Sequence, residues 1–359
     1  MKRIKVGIVG TGRRMTSTHL PILKELEESF EILGFTSRTG KTSKEFESLS
    51  GAKYFDSIDS MLSSFNLDLV VCCVPGGSMY DVIKKVVEKR IPVLTETPVL
   101  DNKIIHLSMS SGVPIGVFEQ WPRLPLELFK KKVYDLVMIQ RPLFVKNDCR
   151  SFNYHAMAQL RSYLGKNVMP VSAYGTFNVI KTPAFEDNGG NIKEENEVWD
   201  LGIVKFSNGA VLSHEFSYHC KTAPFRSVQT LRAYSSDGTI TTGKHLSSGD
   251  DFQILDFRCL EGTKTRKMDI KVLKNDNGVP IRIWDDVTNV YWKSDFSNTD
   301  LDEHQSSIAT IYTDMRDVIL RKKPGDCLHT CQDGFLDNLL MSAIQQSAQT
   351  NSIINFDRG

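Results

Sequence analysis

Ile4-Lys5-Val6-Gly7-Ile8-Val9-Gly10-Thr11-Gly12-Arg13-Arg14-Met15 is the stretch that decides the fold of the first third of this chain. An apolar, β-favouring run ends on Gly10-Thr11-Gly12, and apolar residues then recur at Leu20, Leu23, Leu26 and Phe30, a helical spacing. A strand that passes through a glycine turn into a helix offers free backbone N–H groups at the helix start. Those groups and the helix dipole favour a pyrophosphate. The third glycine of the usual fingerprint is absent, because Arg13-Arg14-Met15 occupies that stretch. Gly10, Thr11, Gly12, Arg13, Arg14 and Met15 are the first candidate cofactor-binding residues.

The residues that follow support this reading. Ile32–Phe35 is a second apolar run, and Leu67–Val74 a third, closed by Pro75-Gly76-Gly77. A helix is predicted over Ser78–Lys89, a strand over Pro92–Thr95, a helix near Asn102–Ser111 and a strand over Pro114–Phe118. Continuous apolar strands alternating with helices describe a parallel sheet covered on both faces. The expectation is a doubly wound, Rossmann-type domain over residues 1–120. The pattern then changes. Leu143–Lys146, Val171–Val179, Val198–Phe206, Ala210–Ser217, Val228–Tyr234, Phe252–Arg258 and Lys267–Leu273 read as strands. Asn208-Gly209, Asp237-Gly238 and Asn277-Gly278 supply tight turns between them. A mostly antiparallel sheet is expected over 121–359. One helix interrupts it at His155–Leu164, Asp187–Glu197 forms a polar loop, and two helices close the chain. The closing pair is expected to bury Ile308, Ile311, Tyr312, Met315 and Ile319, then Phe335, Leu336, Leu339, Leu340 and Ile344.

With 359 residues, 40% hydrophobic and 24% charged, the chain carries enough apolar material for two cores. The net charge of +1 and the mixing of acids and bases give no support to nucleic-acid or membrane-surface binding. No apolar run is long enough to span a bilayer, and no signal-peptide pattern opens the chain. The seven cysteines are irregularly spaced and read as reduced thiols of a cytoplasmic protein. Cys327 and Cys331 lie one helical turn apart, which is too little for a metal site. His214, His219 and His245 lack metal-ligand spacing, so no metal is expected. No Gly-x-Ser-x-Gly elbow or His-Glu-x-x-His pair occurs.

The end of the second strand bears on the choice of dinucleotide. An acidic residue there binds the ribose hydroxyls of NAD, and a nearby arginine accommodates the extra phosphate of NADP. The stretch reads Phe35-Thr36-Ser37-Arg38-Thr39, with Lys41 and Lys44 behind it and no carboxylate before Glu45. Ser37 and Arg38 therefore point to NADP, with NAD as the alternative.

The glycine turn, Val74-Pro75 after the fourth strand, Glu96-Thr97-Pro98 after the fifth, and a histidine-bearing helix ending at Leu164-Gly165 together resemble the glucose–fructose oxidoreductase/inositol dehydrogenase/MocA (Gfo/Idh/MocA) family. The resemblance implies a Rossmann domain joined to an α+β domain with a large, mostly antiparallel open sheet that binds substrate and supports oligomers. It implies NAD(P)-dependent oxidation or reduction of sugars, polyols and related molecules, and a homodimer or homotetramer. It also implies cofactor contacts from Val74, Pro75, Glu96 and Thr97, with Glu96 near the nicotinamide ribose. The family's catalytic lysine corresponds here to Thr97, whose hydroxyl orients a substrate but is a poor base. The family histidine matches His155, whereas its flanking aspartates are replaced by Ser151 and Ala158.

Asp148-Cys149-Arg150-Ser151-Phe152-Asn153-Tyr154-His155 supplies local substitutes. Histidine as a residue type titrates near neutrality, so His155 is the candidate acid/base, Tyr154 a second proton donor and Arg150 a substrate anchor. Trp121 and Arg123, where the first domain ends, are further substrate-binding candidates. The expected activity is hydride transfer between NADP(H) and a sugar-like or other small alcohol or carbonyl substrate. The alternatives are a lyase or glycosidase that keeps its dinucleotide bound, and a dinucleotide-binding sensor without turnover.

Overall fold

The protein is described by a computed structural model over residues 2–138, 140–165, 168–187, 189–194, 196–217, 228–245 and 253–356. His219, Cys220 and the expected strand start at Phe252 lie outside the described residues. Two compact units are present: Met1–Leu124 with Phe296–Leu336, and Pro125–Asp295 with Asp337–Gly359. The expected boundary at residue 120 falls close to Leu124, and Phe296–Leu336 returns to the first unit.

The first unit alternates β1 (Ile4–Val9), α1 (Leu20–Glu25), β2 (Phe30–Thr36), α2 (Ser43–Ser50), β3 (Lys53–Phe55), α3 (Ile58–Ser64), β4 (Leu69–Cys72), α4 (Gly76–Glu88), β5 (Val93–Thr95), α5 (Lys103–Ser111) and β6 (Ile115–Val117). The strands form one parallel sheet in the order β3-β2-β1-β4-β5-β6. The order reverses between β1 and β4, the switch point at whose carboxyl end such sheets bind ligands. Ile4, Val6, Ile8, Leu69, Val70 and Val71 are buried, as strands covered on both faces require. The helix expected over Leu20–Phe30 is shorter. A π-helical turn, Met15–His19, precedes α1, and Phe30 opens β2 by pairing with Ile4.

The second unit contains α6 (Pro125–Leu136), β7 (Phe144–Asp148), α7 (Asn153–Arg161), β8 (Pro170–Ile180), the short pair β9 (Phe185–Glu186) and β10 (Ile192–Lys193), β11 (Glu197–Phe206), β12 (Val211–Ser217), β13 (Val228–Tyr234), β14 (Gly238–His245), β15 (Gln253–Glu261), β16 (Lys264–Lys267), β17 (Lys271–Lys274), β18 (Pro280–Asp285) and β19 (Val290–Lys293). Two helices and a short strand follow in the chain: α8 (Glu303–Ile319) within the first unit, α9 (Cys331–Thr350), and β20 (Ile354–Asn355) in the second. The nine-stranded sheet runs β16-β15-β14-β13-β7-β12-β11-β8-β20 and is antiparallel except where β7 meets β12. Its core face is set by the pairing of Gly175 with Gly202. A Cβ on either would press within 3 Å of Ile344 of α9, so the helix lies directly on the backbone there.

Several expectations change. The strand expected over Lys267–Leu273 is two strands in different sheets, because residues 268–270 leave β16 and β17 opens a separate β17-β18-β19 sheet. The polar loop at Asp187–Glu197 contains β10, and its last residue, Glu197, is a buried start of β11. Leu339, expected in the core, is 40% exposed, since α9 turns Asp337, Leu340, Ile344 and Ser347 inward. Cys327 lies in a 3₁₀ turn before α9 starts at Cys331, so the two do not share a helix.

Candidate functional site

In the first unit the glycine turn leaves β1 at the switch point. Gly10 has φ +96°, and a Cβ there would sit 2.3 Å from the carbonyl oxygen of Cys73, so only glycine fits. Its N–H donates to the Thr36 carbonyl at 2.9 Å, which ties the turn to the end of β2. Thr11 is buried, and its hydroxyl meets that of Thr42 at 2.7 Å. Gly12 differs: a Cβ there would meet nothing within 4 Å. The protein's own packing therefore does not demand glycine at 12, and the open space is what a phosphate group needs to reach the backbone. A helical turn begins at Arg13, and Met15 buries its side chain in the core, leaving only its backbone toward the turn.

At the end of β2 the Ser37 hydroxyl is shielded from water yet has no hydrogen-bond partner. A buried orphan hydroxyl is costly unless a ligand completes it. Arg38, Lys41 and Lys44 beside it are exposed and form no ion pair among the described residues. The turn, the open space at Gly12 and this unsatisfied hydroxyl fit a bound dinucleotide.

Glu96, directly after β5, is the hub of a second cluster. His19 Nε2 meets Glu96 Oε1 at 2.6 Å, Arg14 Nε donates to the same oxygen at 2.9 Å, and the Thr97 N–H donates to Oε2 at 3.3 Å. On its other side His19 Nδ1 meets the Tyr312 hydroxyl of α8 at 2.9 Å. The imidazole is fully buried and packs against Phe118 with ring centroids 4.4 Å apart. Burial raises the carboxyl's proton affinity, but the hydrogen bond and charge of His19, then those of Arg14, outweigh it and hold Glu96 at about 2. Cys73 is the third polar group here. Ligand atoms of His19, Cys73 and Glu96 lie within 4.8 Å of one another. Burial pushes the Cys73 thiol well above its ordinary range, and Arg14 already faces the carboxylate, so the set reads as a hydrogen-bonded cluster. Val74 is half-buried and Pro75, exposed, caps α4. Thr97 is half-buried and joined to Pro98 by a cis peptide bond.

Trp121 and Arg123 also belong to the first unit. Arg123 pairs with Asp314 and donates through Nη2 to the Cys327 carbonyl at 2.6 Å, so its guanidinium is committed within the fold. Trp121 is buried and packs edge-on against His304 at 5.3 Å.

In the second unit Arg150, Tyr154 and His155 lie on the turn from β7 into α7. Asn147 builds that turn. Its Oδ1 accepts from the N–H groups of Arg150 (3.1 Å) and Ser151 (3.0 Å), and its Nδ2 reaches the Ser151 carbonyl at 2.8 Å and His214 Nδ1 at 3.1 Å. Ser151 donates to Gln159 at 2.7 Å. These groups are buried, and burial depresses His214 to about 4, leaving it neutral near pH 7. Cys149 and Asn153 adopt left-handed backbone, φ 52° and 49°, on either side of Arg150. His155 is buried in the first turn of α7, with its ring 4.3 Å from Tyr154 and 5.3 Å from Phe152. Ser151 and Ala158, at the positions of the family's aspartates, are both buried.

His19 and Tyr312 escape a reading of the sequence. His19 follows the polar run Thr16-Ser17-Thr18, so nothing in the sequence sets it apart, and its partners lie 77 and 293 residues away.

Residues 4–104 match a family described as an oxidoreductase family with an NAD-binding Rossmann fold. An uncharacterized protein of Saccharomyces cerevisiae is 28% identical over 142 residues, a stretch covering 37% of this chain and 41% of that relative's length. An oxidoreductase from Thermotoga maritima is similar in structure, with a TM-score of 0.64 at 20% identity, covering 99% of this chain and 98% of that one. The WlbA dehydrogenase from Bordetella pertussis, solved with NADH and UDP-GlcNAcA, gives 0.65 at 16% identity over 100% of both chains. At these identities the structural likeness is one of fold. The six-stranded sheet, the glycine turn and the match over residues 4–104 together show that this part of the chain has the NAD-binding Rossmann fold of the Gfo/Idh/MocA oxidoreductases.

Proposed function

We propose that the protein is an NADP(H)-dependent oxidoreductase acting on a sugar-like or other small alcohol or carbonyl substrate. The observation that carries the cofactor choice is the end of β2, where Ser37 keeps a buried hydroxyl without a partner beside the exposed Arg38. A 2′-phosphate would satisfy both groups. NAD remains the alternative cofactor.

The backbone of Gly10, Thr11 and Gly12, with the helix start at Arg13–Met15, binds the pyrophosphate, while Val74, Pro75, Glu96 and Thr97 border the nicotinamide side. When bound, the dinucleotide supplies the hydride chemistry. His155 holds or accepts the substrate's proton, Tyr154 is the second donor, and Arg150 anchors a polar substrate group. The Thr97 hydroxyl orients the substrate and leaves proton transfer to His155. Because Arg123 and Trp121 are engaged within their own unit, they shape the fold more than they reach substrate. UDP-GlcNAcA in the WlbA structure supports a sugar-like substrate. Tyr174 and Ile203, paired across β8 and β11 and both more than 40% exposed, support self-association of the large sheet as a homodimer or homotetramer. A cytoplasmic location completes the proposal.

The test is a panel of sugars, polyols and their carbonyl forms offered with NADPH or NADP⁺, following reduced-nicotinamide absorbance. Turnover with NADP(H) exceeding that with NAD(H) is expected. Substrate conversion without a change in absorbance would favour a lyase or glycosidase, and tight binding without any conversion a sensor.

A further inference from the structure

The buried chain from Tyr312 through His19 to Glu96 has no part in holding the pyrophosphate, yet it fixes the carboxylate that borders the nicotinamide side. Resting on the dinucleotide reading above, we propose that His19 is a positioning residue that orients Glu96 toward the nicotinamide half of the cofactor, with Tyr312 setting the imidazole.

Three observations carry this. First, both oxygens of Glu96 are claimed: Oε1 by His19 and Arg14, and Oε2 by the Thr97 N–H. A carboxylate held from three directions is fixed in rotation as well as position. Second, His19 is the last residue of a π-helical turn that follows the glycine turn after Arg13 and Arg14. Single π turns inside helices recur at functional sites, and this one places a fully buried imidazole between two polar partners and against the ring of Phe118. Third, Tyr312 is fully buried on α8, which belongs to the segment that returns to the first unit. Its hydroxyl reaches His19 while its ring packs on Phe30 and Phe118. The charged and titratable groups facing this cluster are Arg14 and His19 from the first helical stretch, Cys73 after β4, Glu96 after β5 and Tyr312 from α8. Arg14 is partly exposed and can swing away, whereas His19 is enclosed. The imidazole is therefore the group that keeps the carboxylate in place.

The experiment compares NADPH with 2′-phospho-ADP-ribose, the same molecule without nicotinamide, by calorimetric titration. The proteins are the wild type, His19→Ala, His19→Gln and Tyr312→Phe. NADPH affinity should fall about tenfold in His19→Ala and about threefold in Tyr312→Phe, while affinity for the fragment stays within twofold. Glutamine keeps an N–H for Glu96, so His19→Gln should recover much of the loss. Equal losses for both ligands, or an unchanged NADPH-to-fragment ratio in every variant, would overturn the proposal. Tyr312→Phe retains the ring packing and so carries the test if His19→Ala does not fold. Wild-type protein that binds neither ligand would overturn the dinucleotide reading, and this inference with it.

Discussion

Replacing Glu96 by glutamine keeps the volume and removes the charge, which isolates the electrostatic work of the His19–Glu96–Arg14 cluster. In the folded protein the carboxyl lies at about 2, against an ordinary 4.5. At about 1.4 kcal/mol per tenfold change in proton affinity, the ionised form contributes roughly 3 kcal/mol of stability. The sign follows from the direction of the shift. Because the folded value is the lower one, the contribution is complete above the unfolded value and is lost as pH falls from there toward 2. Urea denaturation of wild type and Glu96→Gln should therefore show a gap of roughly 3 kcal/mol at neutral pH, narrowing by about 1 kcal/mol near pH 3.5. Hydrogen exchange on peptides of the first unit assigns the loss to that unit. A gap that does not change between the two pH values would refute the reasoning, because a packing defect has no such dependence. So would a gap below about 1 kcal/mol at neutral pH, since it would mean that desolvation cancels the partners.

Gly10→Ala should destabilise the first unit by about 3 kcal/mol or more, because both its φ and its contact with Cys73 exclude a side chain, whereas Gly12→Ala should leave the melting temperature nearly unchanged and weaken NADPH binding at least tenfold. Parallel melting and titration of the two variants check this contrast. Arg38→Ala should weaken NADPH roughly 10- to 50-fold, the loss of about one charge-assisted phosphate contact, with NADH affinity unmoved. Competition titration at fixed ionic strength reads it. Asn147→Ala should cost about 2–4 kcal/mol by equilibrium denaturation, since it strips buried partners from Arg150, Ser151 and His214 together.

The legible parts of the fold are those written in continuous apolar runs. β4 buries every residue and β1 all but Lys5, and each runs into a glycine or proline turn, so their place in a two-faced parallel sheet shows in the residues themselves. The stretch from Ser43 to Ser64 does not show it. In α2 only Phe46 is buried, and β3 is three residues long, so neither produces a period that stands out from a polar loop. α6 is obscured differently. Its buried face includes Glu127 and Lys130, which neutralise each other at 2.6 Å and break the apolar pattern that marks a core-facing helix. The return of Phe296–Leu336 to the first unit is a matter of long-range packing: the capping box at Asp302 and Gln305 announces α8 locally, but nothing local says which sheet it covers. The candidate site divides along the same line. The glycine turn, Ser37-Arg38 and Glu96 sit at strand ends that the pattern locates, whereas His19 acquires its partners only through tertiary folding.

The charge arrangement around the turn is the reason the proposed choice of cofactor rests on the end of β2 and not on the glycine turn. A mostly buried carboxylate beside an anion-binding turn would repel phosphate and costs several kcal/mol to desolvate unless paired. His19 and Arg14 pair with Glu96, so Arg14, the second of two cations that sequence order places at the turn, is spent on a neighbour inside the protein. What remains for the pyrophosphate is backbone N–H and the exposed Arg13, which meet the phosphates of NAD and NADP alike. Discrimination must then come from groups that are both unpaired and placed beyond the pyrophosphate. Among the described residues the end of β2 offers them: the shielded Ser37 hydroxyl without a partner, and Arg38 with Lys41 and Lys44 free of ion pairs. Restoring Arg14 to the turn, by Glu96→Gln, adds a cation that both dinucleotides feel equally. It should therefore change their affinities without changing the ratio between them.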